Sequence, residues 1–343
     1  MLKYVLKRVG LAFITTFIII SLTFFAVKAL KEDPPIGMYS AQKAYCDKQV
    51  NLGYWFQSRE LLEGYEIVHI LKGNNTVEYF YKVPIYKQYF NWLENIVTKW
   101  EWGTSLVVEK NVEVTTIIGE RILVSMRLNI LSTLLSVPIG ILLGIWAALK
   151  KNTITDHIIS TAVMIFISIP SFVIILLSNL ILGYKLGWIP TKWPNPGAAW
   201  EMQALGYLLP IFCLSFGSIC GYCRFVRAEL CEVMESDYLL LARTKGLTRS
   251  QAIVRHALRN AMVPIFPSIL AEIIGLLGGS MMLERLYGIP GIGSLFTEAL
   301  TSKDYNVLFV DMSIFTTISL LSGVVLDLSY GFIDPRIRMG AKK

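Results

Sequence analysis

The chain has 343 residues, of which 54% are hydrophobic and only 17% are charged, and its mean hydropathy is +0.53. A soluble domain carries about 25% charged residues, so this composition excludes an ordinary soluble protein. The net charge of +7 is spread over several segments that flank apolar runs, which argues against nucleic acid binding. We therefore predict an integral membrane protein.

Six apolar runs are long enough to cross a bilayer, because a membrane-spanning helix needs about 20 mostly apolar residues. They are Val9–Leu30, Leu123–Leu149, His157–Leu182, Ala204–Tyr222, Ala261–Leu283 and Val307–Ile333. The first run is longer than a signal-peptide core of about 7–15 residues, so we interpret it as a retained span. Pro170 and Pro210 lie inside the third and fourth runs, where each marks a candidate kink.

Lysine and arginine are concentrated on the side of the spans that carries the N-terminus. The positive-inside rule therefore predicts a multi-pass membrane protein with both termini in the cytoplasm. This topology divides the chain into three parts. They are a cytoplasmic N-terminus with the first span (1–30), an extracellular domain (31–120) and a five-helix membrane core (121–343).

The segment from Lys31 to about Glu120 is rich in aromatic residues, which excludes a disordered linker. Glu66–Lys72 and Thr76–Val83 have strand character, and the short Gly73-Asn74-Asn75 connection between them predicts a β-hairpin. Tyr86–Val97 carries its apolar residues on one face and predicts a helix. We expect a small α+β insertion between the first two spans, with most of the rings in its core.

Residues 235–260 form a polar segment between the fourth and fifth apolar runs, on the predicted cytoplasmic side. Two short helices are expected there, at about Ser236–Lys245 and Ser250–Asn260, with a break at Gly246. A helix pair in this position suits the docking of a soluble partner, since an amphipathic helix in a groove is a common recognition mode. A solvated basic loop is the alternative.

Polar residues inside the spans are candidates for a substrate path, because such groups are costly in lipid and often functional. Glu272 is the only charged residue of the run Ala261–Leu283. The other candidates are Asn129, Asn179, Ser215 and Thr316. Hydrogen bonding between helices is the alternative role for each of them.

The sequence offers no recognisable catalytic motif. It has no G-x-x-x-x-G-K-[ST] phosphate loop, no G-x-S-x-G elbow and no H-E-x-x-H pair, and its three histidines are scattered. Cys220 and Cys223 have C-x-x-C spacing without a second ligand pair, so we expect small buried hydrophobic side chains there. We predict no catalytic residue, no metal site and no cofactor bound by this chain.

Several motifs resemble the oligopeptide and dipeptide permeases of ABC importers. The motifs are Ser168–Phe172, Ala242–Leu247, Arg255–Ala261, Gly278–Ser280 with Glu284, Tyr287–Gly293, Asp304-Tyr305, and Asp327 and Tyr330 with Asp334–Arg338. Their order resembles the family from about Trp92 to Arg338, together with the first span, whereas about Lys31–Val83 falls outside the resemblance. Of the general docking-loop pattern of ABC permeases, only Ala242, Gly246 and Leu258 match.

The resemblance implies an all-α, type I ABC importer permease fold with six transmembrane helices and no enzymatic activity. It also implies a second homologous permease, two cytoplasmic ATPases that bind ATP and magnesium, an extracellular peptide-binding protein and surrounding lipid as partners, and no nucleic acid. The residues implied in ATPase coupling are Tyr238, Leu239, Ala242, Arg243, Lys245, Gly246 and His256.

Three alternatives to a peptide importer remain open. A related importer would carry nickel, glutathione or another small solute, which the sequence separates poorly from a peptide. A membrane receptor or scaffold would bind partners on both sides without transport. An ion channel would carry a filter-like repeat or rings of charge, and the sequence shows neither.

Overall fold

The computed structural model describes residues 2–30, 37–73, 77–275 and 278–333. Two predicted features therefore lie outside the described residues: the Asn74-Asn75 part of the hairpin connection and the closing Asp334–Arg338 motif. The chain divides into two compact units. The first unit holds 121–294 with 1–8 and 318–343, and the second holds 9–120 with 295–317.

Thirteen α-helices are found within the described ranges. They are α1 (Leu2–Lys28), α2 (Tyr39–Asn51), α3 (Ile85–Lys99), α4 (Val114–Leu149), α5 (Ile154–Ser168), α6 (Ser171–Ser178), α7 (Trp200–Met234), α8 (Asp237–Thr244), α9 (Arg249–Ala252), α10 (Leu258–Gly275), α11 (Met281–Tyr287), α12 (Ile292–Ser302) and α13 (Tyr305–Ile333). Two π-helical segments, Asn179–Lys185 and Ile253–Ala257, follow α6 and α9. The strands are β1 (Trp55–Ser58), β2 (Ile67–Lys72) and β3 (Val77–Lys82).

The membrane class is confirmed by the apolar helices, and the predicted six spans are reached if one bent pair is counted as a single span. Five segments of the described chain are long and apolar enough to cross a bilayer: Leu6–Lys28, Val114–Leu149, Trp200–Met234, Ser250–Gly275 and Tyr305–Leu326. The pair Ile154–Ser168 and Ser171–Lys185 passes the same test together and makes a sixth span if counted as one.

The third predicted span is broken at Pro170 and not merely kinked. Its two halves are bent by 96°. Ile169 adopts an extended conformation between them, because a residue that precedes proline is disfavoured in the helical region. Pro210 behaves differently, since α7 continues through it without interruption.

Two predicted boundaries are wrong. The second inner helix does not end at Asn260: α9, the π-helical segment and α10 run on without a break as one apolar segment from Ser250 to Gly275. The fifth span also ends earlier than predicted, because Leu283 belongs to the separate helix α11. Both boundaries were predicted from the composition of the apolar runs. A helix, however, ends where its backbone hydrogen bonds are interrupted, and composition does not show that position.

Within the first unit, α4 and α7 approach each other closely at two glycines. A Cβ placed on Gly140 would lie 2.6 Å from the Cβ of Tyr222, and one placed on Gly144 would lie 2.7 Å from the Cβ of Val226 and 2.8 Å from the carbonyl oxygen of Cys223. The two glycines are four residues apart and share one helix face, which is a known pattern for close helix packing in membranes.

An ion pair joins α5 to α7 near one end of this helix pair. The Asp156 carboxylate is buried and accepts hydrogen bonds from Arg227 Nε (2.5 Å) and Nη2 (2.7 Å). It also accepts from the backbone N–H of Asn152 (2.9 Å) and the hydroxyl of Ser160 (3.2 Å). These hydrogen bonds hold the start of α5 against α7.

The second unit contains the predicted hairpin and one strand that was not predicted. Strand β3 pairs antiparallel with both β1 and β2, so the sheet order is β1-β3-β2. The predicted strands and the helix at Tyr86–Val97 are confirmed with small changes of boundary, as β2, β3 and α3. Helix α2 and strand β1 are additional elements of this α+β insertion.

Aromatic packing forms much of the core of the second unit, as expected for its rings. Phe24 of α1 lies 5.1 Å from Trp92 and 5.8 Å from Phe309, measured between ring centroids. Asp304 adds a polar anchor, because its Oδ2 accepts from the Ser105 hydroxyl (2.7 Å) and from the backbone N–H of Leu106 (2.9 Å). The loop before α4 is thereby tied to the start of α13.

We expect Gly144→Ala to destabilise the protein, because the added methyl group overlaps with α7. Overpacking of this kind costs about 1–3 kcal/mol. Thermal unfolding of the purified protein in one detergent measures the effect as a lower midpoint. Gly221→Ala is the matched control, since a Cβ there meets nothing within 4 Å. Equal midpoints for the two variants would show that α4 and α7 are not in close contact.

We expect Asp156 and Arg227 to be energetically coupled in a double-mutant cycle. Asp156→Asn leaves the guanidinium without its carboxylate, so it should lower the thermal midpoint more in the wild-type background than in Arg227→Gln. Directly contacting charged pairs show coupling of about 0.5–3 kcal/mol. Additive shifts in the double variant would contradict the ion pair.

Candidate functional site

Helix α8 lies at the turn between the fourth and fifth spans, and its two faces differ sharply. Leu239 is buried in a core cluster with Leu230, Ala252 and Ala257, and Ala242 is also buried. The predicted coupling residue Leu239 thus fixes α8 to the rest of the first unit. Other apolar side chains of α8 remain available to a partner.

The outward face of α8 carries an apolar pair flanked by charge. Leu240 is 62% exposed, Leu241 57% and Tyr238 40%. Arg243 and Lys245 are also exposed. A soluble chain rarely leaves two adjacent leucines in water, so this face has the character of a contact surface. We call Tyr238, Leu240, Leu241, Arg243 and Lys245 the α8 surface.

Gly246 ends α8 in a conformation that favours glycine. Its φ is +95°, and a Cβ at this position would meet nothing within 4 Å. The requirement for glycine is therefore conformational and not steric packing. Thr248 then starts the next helix with reciprocal hydrogen bonds, from Gln251 N–H to Thr248 Oγ1 (3.3 Å) and from Thr248 N–H to Gln251 Oε1 (3.1 Å). This capping box is visible in the sequence as T-x-x-Q but was not predicted.

His256 lies in the π-helical segment Ile253–Ala257, where its side chain is exposed together with Arg255. Ile253 and Ala257 of the same segment are buried in the cluster that holds α8. The π-helical turn thus joins the α8 surface to the long helix that continues to Gly275. Such turns inside helices are frequent at functional sites.

A cleft of about 380 Å³ adjoins the α8 surface. Its walls include Ala148, Lys151, Glu235, Leu240 and Arg243. Lys151 and Glu235 form an ion pair at its edge, and the hydrogen bond to Glu235 raises the pKa of Lys151. The cleft has an apolar floor and a charged rim, which suits an inserted side chain of a partner protein.

A second, smaller cavity of about 250 Å³ lies between α4, α7 and α10. It is lined by Asn129, Ser132, Thr133, Leu214, Ser218, Glu272, Gly275, Gly279 and Ser280. We call it the polar cavity. Two predicted path residues, Asn129 and Glu272, are thus brought together in one place. The hydroxyl-bearing residues of the cavity were not predicted, because serine and threonine are common in spans and only helix rotation decides where they point.

The wall of the polar cavity is held by hydrogen bonds between helices. Ser215 is buried behind the wall, and its hydroxyl lies 3.1 Å from that of Ser132 and 2.7 Å from the carbonyl oxygen of Ile211. The Tyr222 side chain interacts with Glu272. Ser215 therefore takes part in hydrogen bonding between α4 and α7.

The two remaining path candidates lie elsewhere. Asn179 is in the π-helical segment after α6, where its side-chain nitrogen donates to the carbonyl oxygen of Thr191 (3.0 Å). Thr316 is on the part of α13 that belongs to the second compact unit. Neither residue lines the polar cavity.

Glu284 organises the segment that follows the fifth span. Its carboxylate accepts hydrogen bonds from the Ser125 hydroxyl (2.7 Å) and from the backbone N–H groups of Ser294 (2.9 Å) and Ser280 (3.2 Å). A Cβ on Gly291 would lie 2.4 Å from this carboxylate. The glycine run before α12 therefore leaves room for Glu284, which explains a motif that the sequence alone only marked as a turn.

The family model for "Binding-protein-dependent transport system inner membrane component" matches residues 140–339. The chain is 33% identical to the dipeptide transport system permease protein DppB of Lactococcus lactis over 99% of its length and 100% of the relative. It is 30% identical to the oligopeptide transport system permease protein OppB of Haemophilus influenzae over 98% of its length and 100% of the relative. These alignments include the outer region 31–83, so its exclusion from the resemblance was wrong.

The fold is similar to that of a solved transporter. Two structures of the MetNI methionine ABC transporter in inward-facing conformations match 64% of this chain and 97% of theirs, with TM-scores of 0.52 and 0.50. Sequence identity is only 16% and 17%, so this similarity concerns the fold alone. The apolar helices, the fold and the full-length similarity agree. This chain belongs to the binding-protein-dependent transport system inner membrane components, within the oligopeptide and dipeptide permeases of ABC transporters.

Proposed function

We propose that this chain is the permease subunit that forms half of the translocation path of an ATP-driven peptide importer. The observation that carries the proposal is similarity over the whole length, outer region included, to permeases named for dipeptide and oligopeptide transport. In this assembly a second permease completes the path, two ATPases bind ATP and magnesium, and an extracellular protein delivers the peptide. The chain itself performs no catalysis.

The α8 surface supports the coupling part of the proposal. It combines exposed Leu240 and Leu241 with the cationic Arg243 and Lys245, which suits an apolar groove with an acidic rim. The buried side of α8 is fixed to the first unit through Leu239. A partner that moves this surface would therefore move the helices behind it, including the helix that carries Glu272.

The topology follows from the same assignment. The α8 surface and both termini face the cytoplasm, and the α+β insertion faces outward. Chemical labelling suits this chain, because its five cysteines are all free and buried. Burial also raises the pKa of the Cys46 thiol in the outer domain to about 12, so this thiol stays protonated and reacts slowly.

We expect a membrane-impermeant maleimide to label Leu240→Cys only after cells are opened. Val97→Cys on α3, which is exposed in the outer domain, should be labelled in intact cells. The unsubstituted chain measures the background from the buried cysteines. Labelling of Leu240→Cys in intact cells would reverse the proposed topology.

We expect Gly246→Val to uncouple ATP hydrolysis from transport. A β-branched residue at φ +95° costs on the order of 1–3 kcal/mol, so the turn should change shape and tilt the α8 surface. The assembled complex in liposomes is assayed for peptide uptake and for ATPase stimulation by the loaded binding protein. Both should fall strongly, while the protein level in the membrane remains.

Gly187→Val is the matched control for this variant. Gly187 also has a positive φ, +64°, with open space around it, and it lies far along the chain from α8. The control therefore carries a similar backbone penalty without touching the coupling surface. Equal loss of uptake in both variants would mean that general instability, and not the α8 surface, causes the defect.

A pull-down from native membranes tests the assembly directly. The tagged chain is extracted in a gentle detergent, and every co-purifying protein is identified. A second permease with ATPases and a peptide-binding protein is the expected result. A binding protein for nickel, glutathione or another solute would replace the peptide assignment. Recovery with a signalling protein alone, while other transporters stay intact, would favour a receptor.

A further inference from the structure

Glu272 is the only charged residue of α10 after Arg259, and it lies near the end of the apolar segment Ser250–Gly275. A carboxylate within a membrane-spanning segment is unfavourable unless it is paired or in contact with water. The groups around Glu272 therefore indicate which ligand its carboxylate could bind.

No protein cation neutralises Glu272 within the described part of the chain. The ion pairs there involve other residues. The described interaction partner of Glu272 is the side chain of Tyr222, which is not a cation. Tyr222 packs closely against Gly140 on α4, so the group beside the carboxylate is held in place.

The polar cavity surrounds Glu272 with uncharged polar groups. Among its described lining residues, Glu272 is the only ionisable side chain, and the rest of the polar lining is an asparagine amide and hydroxyl groups. Thr133 and Ser218 line the same cavity as the carboxylate. A primary ammonium group has three N–H donors and no acceptor. One carboxylate with neighbouring hydroxyl oxygens matches that requirement.

We propose that Glu272 selects the charge of the solute inside the path by receiving a primary ammonium group in the polar cavity. The ligand is a lysine side chain of a peptide in transit. This inference rests on the proposed function and adds a preference for cationic peptides that is set by the permease itself. A negatively charged peptide side chain is disfavoured there, because it would be repelled by the carboxylate.

The test measures translocation apart from delivery. The complete complex in liposomes is saturated with the binding protein and either Ala-Lys-Ala or Ala-Glu-Ala, so that the maximal uptake rate and not binding is compared. In the wild type the lysine peptide should move about threefold to tenfold faster than the glutamate peptide. Glu272→Gln should bring the ratio close to one, and Glu272→Lys should invert it.

Two further variants separate charge selection from a structural role. Glu272→Asp keeps the carboxylate and should keep the preference for the lysine peptide. Glu201→Gln removes an exposed acid at the start of α7 and should leave the ratio unchanged. A purely structural role of Glu272 would lower both rates by the same factor in Glu272→Gln, and that result would overturn the inference.

The ratio of the two uptake rates in the wild-type complex also tests charge selection, even if every variant folds poorly. Equal maximal rates for the two peptides would overturn charge selection while leaving peptide import intact. Absence of uptake of either peptide, with ATPase activity present, would instead refute the proposed function and the inference with it.

Discussion

The contact between α4 and α7 at Gly140 and Gly144 is the constraint on which most of the first unit depends. It brings Ser132 within reach of Ser215, so the hydroxyl network of the polar cavity exists only because the two backbones are close. It also sets the position of Tyr222, the described partner of Glu272. Further along the same pair, Ala148 and Leu230 belong to the cluster that contains Leu239. One packing contact thus underlies both the cavity and the α8 surface.

Three carboxylates of the chain differ in the groups that surround them. Asp156 is neutralised by Arg227 and holds two helices together. Glu284 is surrounded by donated N–H and O–H groups and shapes the turn before α12. Glu272 lies beside Tyr222 and lines a cavity. Asp156 and Glu284 are satisfied by donors of the protein and are structural. Glu272 has no cation among the described residues as its partner, which is why it carries the inference about the solute.

Hydropathy sufficed to predict the spans and the isolated charge of Glu272, because both are properties of composition along the chain. It did not predict which prolines interrupt a helix: Pro170 lies at a break and Pro210 lies inside α7. It also did not reveal that Leu240 faces outward while Leu239 faces inward, since that depends on the cluster supplied by α4 and α7. Helix α2 was missed because it is mostly polar, and β1 because it has only four residues.

The unbroken helix from Ser250 to Gly275 has a mechanical consequence. At about 1.5 Å per residue, the distance along it from His256 to Glu272 is about 24 Å. A rod of that length acts as a lever: a tilt of about 5° at its inner end displaces Glu272 by about 2 Å. Helix shifts of about 1–2 Å are typical of switching proteins. A small rotation at the α8 surface is therefore enough to open or close hydrogen-bond distances in the polar cavity, without any relay of side chains between the two.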